Sequence, residues 1–306
     1  MPAPFLRYRA SPASPWLAAL VLIIATLTSS PGRAEDRVQF PSLDGKTTLS
    51  GFLSRPPQGE PAAAIVMLHG CSGLVSRTGP FGIYRAWRDL LIEAGYVVLM
   101  VDSAGSRGFG QTCTAGPERR RMWAERPGDA YAALAFLQQQ AFVRPERVGL
   151  MGWSQGGGVV LLAIPARSSG RPSPAPAHDF AGAIAFYPGA CSDRLQSQPF
   201  VDSPPQSWTS TIPLLVLQGE ADNWTPARPC QAFLRGAQER KAPVTLQLYP
   251  AAAHGFDAPN VTVHAIERYR ENGRVPVIGT DPAARDDARL RVRDFLNTHL
   301  QGGPAR

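Results

Sequence analysis

A serine, an aspartate and a histidine stand in an order and in local settings that suit nucleophilic catalysis. Ser154 is the centre of Gly-Trp-Ser-Gln-Gly at residues 152–156, which matches the pattern G-x-S-x-G. A serine hydroxyl is a weak nucleophile at neutral pH, so it needs a base, and the base needs a carboxylate that orients it. Asp222 and His254 follow Ser154 in that order. These residue types predict acyl transfer from an ester carbonyl to water.

The segments around Ser154 predict the tight turn that such a nucleophile requires. The apolar run Arg147–Met151 predicts a strand that ends just before the motif, and Gly156–Ile164 predicts a helix that starts just after it. Glycines on both sides of the serine let a strand and a helix approach closely. We therefore expect Ser154 at a strained strand-to-helix turn.

Asp222 and His254 each follow a further predicted strand. The apolar run Ile212–Leu217 precedes Asp222, and Val244–Leu248 precedes His254. If these strands are parallel to the strand before Ser154, all three side chains lie at the same edge of one sheet. The tetrahedral oxyanion would then meet two backbone N–H groups, those of Cys71 and Gln155.

Other residues compete for the same roles. Glu220 is close enough to Asp222 in the chain to be the alternative carboxylate. His69 ends a predicted strand, and we expect its ring to fix the following loop by hydrogen bonding. Three more histidines fall in predicted loops or near the end of the last helix and are expected to be solvated: His178, His264 and His299.

Apolar runs alternate with helix-like segments along the chain. The runs are too apolar for half-exposed strands, and strands of this kind belong to a parallel sheet covered on both faces. They span residues 62–68, 96–101, 147–151, 180–186, 212–217 and 244–248, with helices expected at 81–94, 129–140, 156–164, 227–240 and 283–300. An Asp-Gly turn predicts a hairpin of 37–42 and 47–55. Loops are expected at 103–126, 167–178, 190–210 and 257–281, the last containing a short helix at 264–270. We interpret residues 35–306 as one α/β domain.

The first 34 residues have the features of an export signal. Arg7 and Arg9 precede an apolar stretch from Trp16 to Leu27, and small residues lead to Ala34. We expect cleavage after Ala34. The alternative is a retained anchor, but the apolar stretch is shorter than the roughly 20 residues that span a bilayer. The protein is therefore expected in the periplasm or secreted.

Composition narrows the classes of partner. The formal net charge is +7, but only Lys46 and Lys241 are lysines among the 31 basic residues. No basic run is interleaved with aromatic residues, so nucleic-acid binding is not expected. The four cysteines are spaced too widely for a zinc site, and an even number in an exported protein favours disulfides. Their pairing is open at this point.

Four motifs together resemble the dienelactone hydrolase family. They are His-Gly-Cys-Ser-Gly at 69–73, Gly-Trp-Ser-Gln-Gly-Gly at 152–157, Gly-Glu-Ala-Asp-Asn-Trp-Thr-Pro at 219–226 and Tyr-Pro-Ala-Ala-Ala-His-Gly-Phe at 249–256. The resemblance covers residues 37–300, with the motifs in family order. It implies an α/β-hydrolase fold, a triad of Ser154, Asp222 and His254, and no metal or cofactor. The family's topology also implies that the disulfides are Cys71–Cys113 and Cys191–Cys230.

Two departures from the family pattern bear on the substrate. Family members that open dienelactone commonly use a cysteine nucleophile, where this chain has Ser154. They also bind the substrate carboxylate with an arginine just after the catalytic histidine, where this chain has Asp257. We therefore expect a small-molecule ester or lactone other than dienelactone. Candidate substrate contacts are Trp153, Trp224 and Arg107.

Two alternatives to an esterase remain at this stage. One is a serine peptidase of the prolyl-oligopeptidase type, which shares the fold and the triad. The other is an inactive exported binding protein. A glycosylation sequon at 223–225, directly beside Asp222, favours a bacterial origin because a glycan there would crowd the site. The oligomeric state and the role of the 167–178 loop are not predicted.

Overall fold

The structure is a computed structural model that describes residue 1 and residues 35–57, 59–198 and 201–302. Apart from Met1, the expected export signal lies outside these residues. Within them, no helix is both long enough and apolar enough to cross a membrane.

Eight strands form the central sheet. They are β1 (Glu35–Pro41), β2 (Thr48–Ser54), β3 (Ala62–Leu68), β4 (Val97–Val101), β5 (Val143–Trp153), β6 (Gly182–Phe186), β7 (Leu214–Gly219) and β8 (Val244–Tyr249). Their order across the sheet is β1-β2-β4-β3-β5-β6-β7-β8. Strands β1 and β2 are antiparallel to their neighbours, and the other pairs are parallel. The mostly parallel sheet expected from the apolar runs is confirmed.

Alternation within each strand explains why these runs are continuously apolar. In β3, Ala64, Val66 and Leu68 pack in one hydrophobic cluster, whereas their neighbours Ile65 and Met67 pack in a second one. Successive side chains of a strand point to opposite faces of a sheet. Both faces are therefore covered, which leaves the strand ends as the places where polar side chains reach solvent.

The described residues include five α-helices, of which four lie between strands of the sheet and the last follows β8. They are α1 (Gly82–Glu93), α2 (Pro117–Gln138), α3 (Gln155–Ala163), α4 (Ala227–Glu239) and α5 (Pro282–Leu300), and short 3-10 turns lie at Gly105–Arg107 and Glu267–Tyr269. Helix α2 corrects the sequence-based boundary, since residues 117–126 are helical and not loop. Its buried face begins at Met122 and continues through Arg126 and Pro127, so packing extends the helix across the proline.

The segment 257–281 lies between His254 and α5, and we call it the cap. Its residue Ile278 forms a β-bridge with His254. The cap is irregular, as expected, but it holds a two-residue strand pair, His264–Ala265 with Val277–Ile278, and a 3-10 turn instead of the predicted helix. A second small strand pair, Val75–Ser76 with Gly79–Pro80, precedes α1.

Candidate functional site

Ser154 occupies the sharp turn between β5 and α3. Its φ is +53° and its ψ is −115°, a conformation that a non-glycine residue rarely adopts. The glycines around it are required sterically. A Cβ at Gly156 would lie 2.2 Å from the carbonyl oxygen of Leu68, and one at Gly152 would lie 2.4 Å from that of Gly156. The local sequence thus allows β3, β5 and α3 to meet closely enough to expose the serine.

Asp222 and His254 form a buried hydrogen-bonded pair. Asp222 Oδ2 lies 2.7 Å from His254 Nδ1, and both side chains are almost inaccessible to solvent. The hydroxyl of Thr225 lies 2.7 Å from the same Oδ2, and the backbone N–H groups of Trp224 and Thr225 donate to Asp222 Oδ1 at 2.7 and 2.8 Å. Every lone-pair region of this carboxylate is therefore engaged.

The environment of Asp222 keeps it ionised. Burial raises the pKa of the Asp222 carboxyl, but the charge of His254 and the hydrogen bonds from His254 and Thr225 outweigh burial and hold the pKa below its usual value. An ionised Asp222 accepts a hydrogen bond from the N–H at Nδ1 of His254, which leaves the lone pair at Nε2 of the ring as the base.

Ser154 and His254 line the same cavity, of about 310 Å³. Most of its wall is apolar or aromatic and comes from three sources: the loop after β3, the start of α1 and the cap. The aromatic lining residues are Phe81, Tyr84, Trp153, Tyr187, Trp224 and Tyr269. Among the described residues that line the cavity, Arg268 is the one arginine, and no lysine, aspartate or glutamate lines it.

The two expected oxyanion donors lie on either side of the turn. Cys71 lines the cavity, and its loop is held because its carbonyl accepts the N–H of Thr112 at 2.7 Å. Gln155 is the first residue of α3, where a backbone N–H has no partner within the helix. The side chain of Gln155 points into the core, where its Oε1 accepts from Thr112 and Arg126, both at 3.0 Å.

His69 fixes the loop after β3, as expected. It is buried, its Nδ1 lies 2.6 Å from the carbonyl oxygen of Gly70, and the N–H of Ala104 donates to its Nε2 at 3.4 Å. Burial, and then the charge of Arg126, hold the pKa of His69 well below its usual value. A neutral, fully engaged ring of this kind orders the loop and is not a proton carrier.

The three candidate substrate contacts differ in their position relative to the cavity. Trp224 lines the cavity, and its ring lies 4.9 Å from that of His254. Trp153 borders the cavity but is 1% exposed, with its indole N–H bound to Asp257. Arg107 is a correction: its guanidinium is held by Asp129 and Glu125, and the residue lines a separate cavity on another part of the surface. A basic side chain already paired with two carboxylates is not available to a substrate.

Competing residues lie away from His254. Glu220 is exposed and accepts from Gln231. His178 and His264 are exposed, and His299 lies on α5 with its ring against Phe295. Among the described residues, no cluster of histidine, cysteine and acidic side chains has a geometry that could hold a metal ion.

Comparison with known proteins places the chain in a family. The model of the dienelactone hydrolase family matches residues 49–300. The chain belongs to the dienelactone hydrolase family. Its fold is the α/β-hydrolase fold, as the resemblance implied, and a putative dienelactone hydrolase from Klebsiella pneumoniae superposes with a TM-score of 0.61 at 14% identity, over 86% of this chain and 98% of that one.

Curated relatives of this family member include a lactonase and a peptidase. A probable 2-oxo-3-(5-oxofuran-2-ylidene)propanoate lactonase from Bradyrhizobium is 27% identical over 85% of this chain and 92% of its own length. Dipeptidyl aminopeptidase BIII from Pseudoxanthomonas mexicana is 24% identical over 91% of this chain but only 45% of its own length. The chain thus spans less than half of that peptidase.

Both disulfides implied by the resemblance are present, Cys71–Cys113 and Cys191–Cys230. The first packs with Tyr269, Trp224 and Ile266 and so joins the loop after β3 to the cap. The side chain of Asn223, in the sequon, is also occupied: its amide donates to the carbonyl of Val275 and accepts the N–H of Val277, both at 2.8 Å. Asn223 therefore attaches the cap beside Asp222.

Several functional residues were not evident from the sequence. Thr225, Tyr187, Arg126 and Asp257 all contact or support the pair and the turn, and Tyr269 covers the cavity from the cap. Asp257 has one signal in the sequence, its position three residues after His254, where the family has an arginine. The others carry no signal, because their roles depend on contacts between distant segments.

Proposed function

We propose that this chain is a serine hydrolase that cleaves carboxylic esters or lactones through an acyl-enzyme. His254 Nε2 removes the proton of Ser154 as Oγ attacks the carbonyl carbon, and Asp222 holds the ring in the required tautomer. The backbone N–H groups of Cys71 and Gln155 receive the oxyanion. His254 then protonates the leaving alcohol, water attacks the acyl-enzyme, and the acid departs as Ser154 regains its proton.

One observation is the main support for this proposal. A serine in a strained strand-to-helix turn shares a cavity with a histidine whose opposite ring nitrogen is bound to a buried carboxylate. Strain of this kind is retained where the surrounding structure enforces it, and it clusters at active sites. Membership of the dienelactone hydrolase family supports the same reaction class.

The cavity supports compact, mainly apolar substrates. Its volume of about 310 Å³ suits a small ring or a short acyl chain, and the aromatic side chains of Phe81, Trp224 and Tyr269 offer flat apolar surfaces. Asp257 stands where the family has an arginine and is itself buried, whereas the exposed Arg268 lines the cavity and can pair with a substrate carboxylate. We therefore propose aromatic or short-chain esters and lactones other than dienelactone as the preferred class.

A single substitution tests the reaction. Ser154→Ala is expected to abolish hydrolysis of p-nitrophenyl acetate and labelling by a fluorophosphonate probe, with an unchanged melting temperature. Undiminished hydrolysis in this variant would exclude Ser154 as the nucleophile. A panel of lactones, short acyl esters and aromatic esters, each with and without a carboxylate, then defines the substrate class.

Peptide hydrolysis is the second candidate, and the similarity to dipeptidyl aminopeptidase BIII over most of this chain favours it. The same acyl-enzyme chemistry cleaves amides, so the two functions differ in kcat/KM and not in mechanism. Dipeptidyl p-nitroanilides measured beside p-nitrophenyl esters separate them. An inactive binding protein would fail to label at Ser154 at all.

We also propose that the protein is exported to the periplasm or secreted, with residues 1–34 removed. Two disulfides support an oxidising compartment. N-terminal sequencing of the protein recovered from the periplasm or medium of the expressing bacterium should begin at Glu35. Recovery of the full-length chain from the cytoplasm, with free thiols, would refute export.

A further inference from the structure

Asp257 is a buried carboxylate that binds three donors from three different elements. It is 1% exposed. Its Oδ2 accepts the indole N–H groups of Trp87 on α1, at 2.7 Å, and of Trp153 at the end of β5, at 2.8 Å. Its Oδ1 accepts the hydroxyl of Tyr187, which follows β6, at 2.7 Å. None of the described arginines, lysines or histidines forms an ion pair with it.

Two of these three donors are direct neighbours of the proposed triad. Trp153 immediately precedes Ser154 in the strained turn. The ring of Tyr187 lies 4.5 Å from that of His254, and the carbonyl of Tyr187 accepts the hydroxyl of Thr225 at 3.0 Å. Asp257 itself follows His254 by three residues. One carboxylate therefore connects the turn that presents the serine with the loop that presents the histidine.

The backbone at Tyr187 shows that these contacts enforce a conformation. Its φ is +33°, a region that a bulky aromatic residue rarely adopts. Such a residue is held by its surroundings. The hydrogen bond to Asp257, the bond from Tyr187 N–H to the carbonyl of Leu217 at 2.8 Å and the packing on His254 supply that restraint.

We infer that Asp257 is a positioning residue for the reaction proposed above. Through its hydrogen bonds to Trp153 and Tyr187, it sets the separation of Ser154 and His254. An error of about 1 Å in the placement of reacting groups costs roughly 100-fold in rate. The loss of one of these hydrogen bonds is expected to move the serine or the histidine by a fraction of that distance. The chemical step should therefore weaken while substrate binding in the apolar cavity persists.

Two of these donors provide variants with a matched control. Trp153→Phe and Tyr187→Phe each remove one hydrogen bond to Asp257 and retain a ring, and we expect each to lower kcat about 10-fold with KM changed less than about twofold. The control is Trp208→Phe, because Trp208 is as buried as Trp153, its indole N–H donates to the carbonyl of Leu161 at 3.0 Å, and it is not among the residues that line the cavity. It should lower the melting temperature to a similar extent and leave kcat unchanged.

Changes at Asp257 itself separate its charge from its hydrogen bonds. Asp257→Asn offers one acceptor to the indoles and an amide N–H₂ to the Tyr187 oxygen, so it should retain more activity than Asp257→Ala. We expect kcat to fall roughly 10-fold in the first and roughly 100-fold in the second. If Asp257→Ala does not fold, the Trp153, Tyr187 and Trp208 variants still decide the question.

The rate constant for fluorophosphonate labelling of Ser154 is the second readout, because it reports serine reactivity whatever the natural substrate is. It should fall in the Trp153, Tyr187 and Asp257 variants and stay at the parent value in Trp208→Phe. Equal kcat and labelling in the parent and in the Trp153→Phe and Tyr187→Phe variants would refute the positioning role. Labelling of the Ser154→Ala variant would instead refute the proposed function.

Discussion

The guanidinium of Arg126 donates to the side-chain oxygen of Gln155 at 3.0 Å, directly behind the turn that presents Ser154. A second N–H of Arg126 donates to the carbonyl of His69 at 2.7 Å. The arginine is fully buried, and burial lowers its pKa to about 10, so it remains charged at neutral pH. Arg126 therefore joins the start of α3 to the loop after β3, the two segments that carry the proposed oxyanion donors.

Replacing Arg126 by Met is expected to lower the free energy of unfolding by about 3 kcal/mol, because the buried carbonyl of His69 loses its side-chain donor and Gln155 Oε1 keeps only the hydroxyl of Thr112. Arg121→Met, at an exposed ion pair with Glu125 on the same helix, should cost at most about 1 kcal/mol. Denaturant unfolding measures both. Equal losses in the two variants would mean that the buried contacts of Arg126 contribute nothing beyond those of a surface arginine.

The Asp222–His254 bond predicts a graded loss of activity. Asp222→Asn should lower kcat about 10⁴-fold, since the amide no longer selects the tautomer with a proton on Nδ1. Thr225→Val removes the hydroxyl beside Asp222 Oδ2 but keeps the backbone N–H that donates to Oδ1. We expect this variant to lower kcat about tenfold, which corresponds to one hydrogen bond of roughly 1.4 kcal/mol. Steady-state kinetics with p-nitrophenyl acetate measure both losses, and a Thr225→Val effect as large as that of Asp222→Asn would contradict this order.

The two disulfides are expected to differ in their effect on catalysis. Cys71–Cys113 joins a proposed oxyanion donor to the cluster with Tyr269 and Trp224, whereas Cys191–Cys230 anchors α4 in the core. Replacing either pair by serines should cost about 2–4 kcal/mol of stability. Only the Cys71/Cys113 double variant should also lose kcat/KM, measured well below its melting temperature. Equal kcat/KM in the two double variants would mean that the Cys71–Cys113 disulfide does not contribute to catalysis.

Asp257 gives a prediction for the dependence of stability on pH. Burial raises its pKa, which hydrogen bonds from Tyr187, Trp153 and Trp87 only partly oppose. The folded state then binds a proton more tightly than the unfolded state, whose carboxyl titrates near about 3.9. Stability from this group is therefore complete below that pH and is lost as the pH rises through the folded pKa.

Asp257→Asn removes this titration. The melting temperature of the variant relative to the parent should rise between about pH 3 and about pH 7. Tyr187, the titratable neighbour in direct contact, has a pKa raised well above its usual value by burial and by Asp257, so it stays protonated across this range. A difference that is constant with pH would contradict a raised pKa at Asp257.

Features that depend on short stretches of sequence were predictable. The strand, the turn and the helix around Ser154 are encoded by one apolar run and its flanking glycines. Asp222 and His254 follow strands that are buried on both faces, so their position at one sheet edge follows from parallel pairing. The cysteine pairing required the family's strand order, because spacing alone allows three arrangements.

Features that depend on pairing across the chain were not predictable. Arg107 was expected at the substrate because it lies in a loop beside the sheet edge, but Glu125 and Asp129 on α2 bind it. The start of α2 was missed for a related reason: glycines, arginines and Pro127 suggest a loop, while burial of Met122 and Arg126 stabilises the helix there. In each case, side chains that are distant in sequence decide the outcome.

The contact between Gly156 and β3 predicts a strong effect of the smallest substitution. In Gly156→Ala the new methyl would lie 2.2 Å from the carbonyl oxygen of Leu68, so α3 or β3 must shift. Overpacking of this kind costs about 1–3 kcal/mol, and the shift also moves the neighbouring Ser154 turn, so kcat should fall.

Gly110→Ala is the matched control, because a Cβ there meets no atom within 4 Å. It should change stability by less than about 0.5 kcal/mol and leave kcat at the parent value. Thermal unfolding and p-nitrophenyl acetate hydrolysis measure both variants, and a stable, fully active Gly156→Ala enzyme would show that the turn does not need the close approach of the two elements.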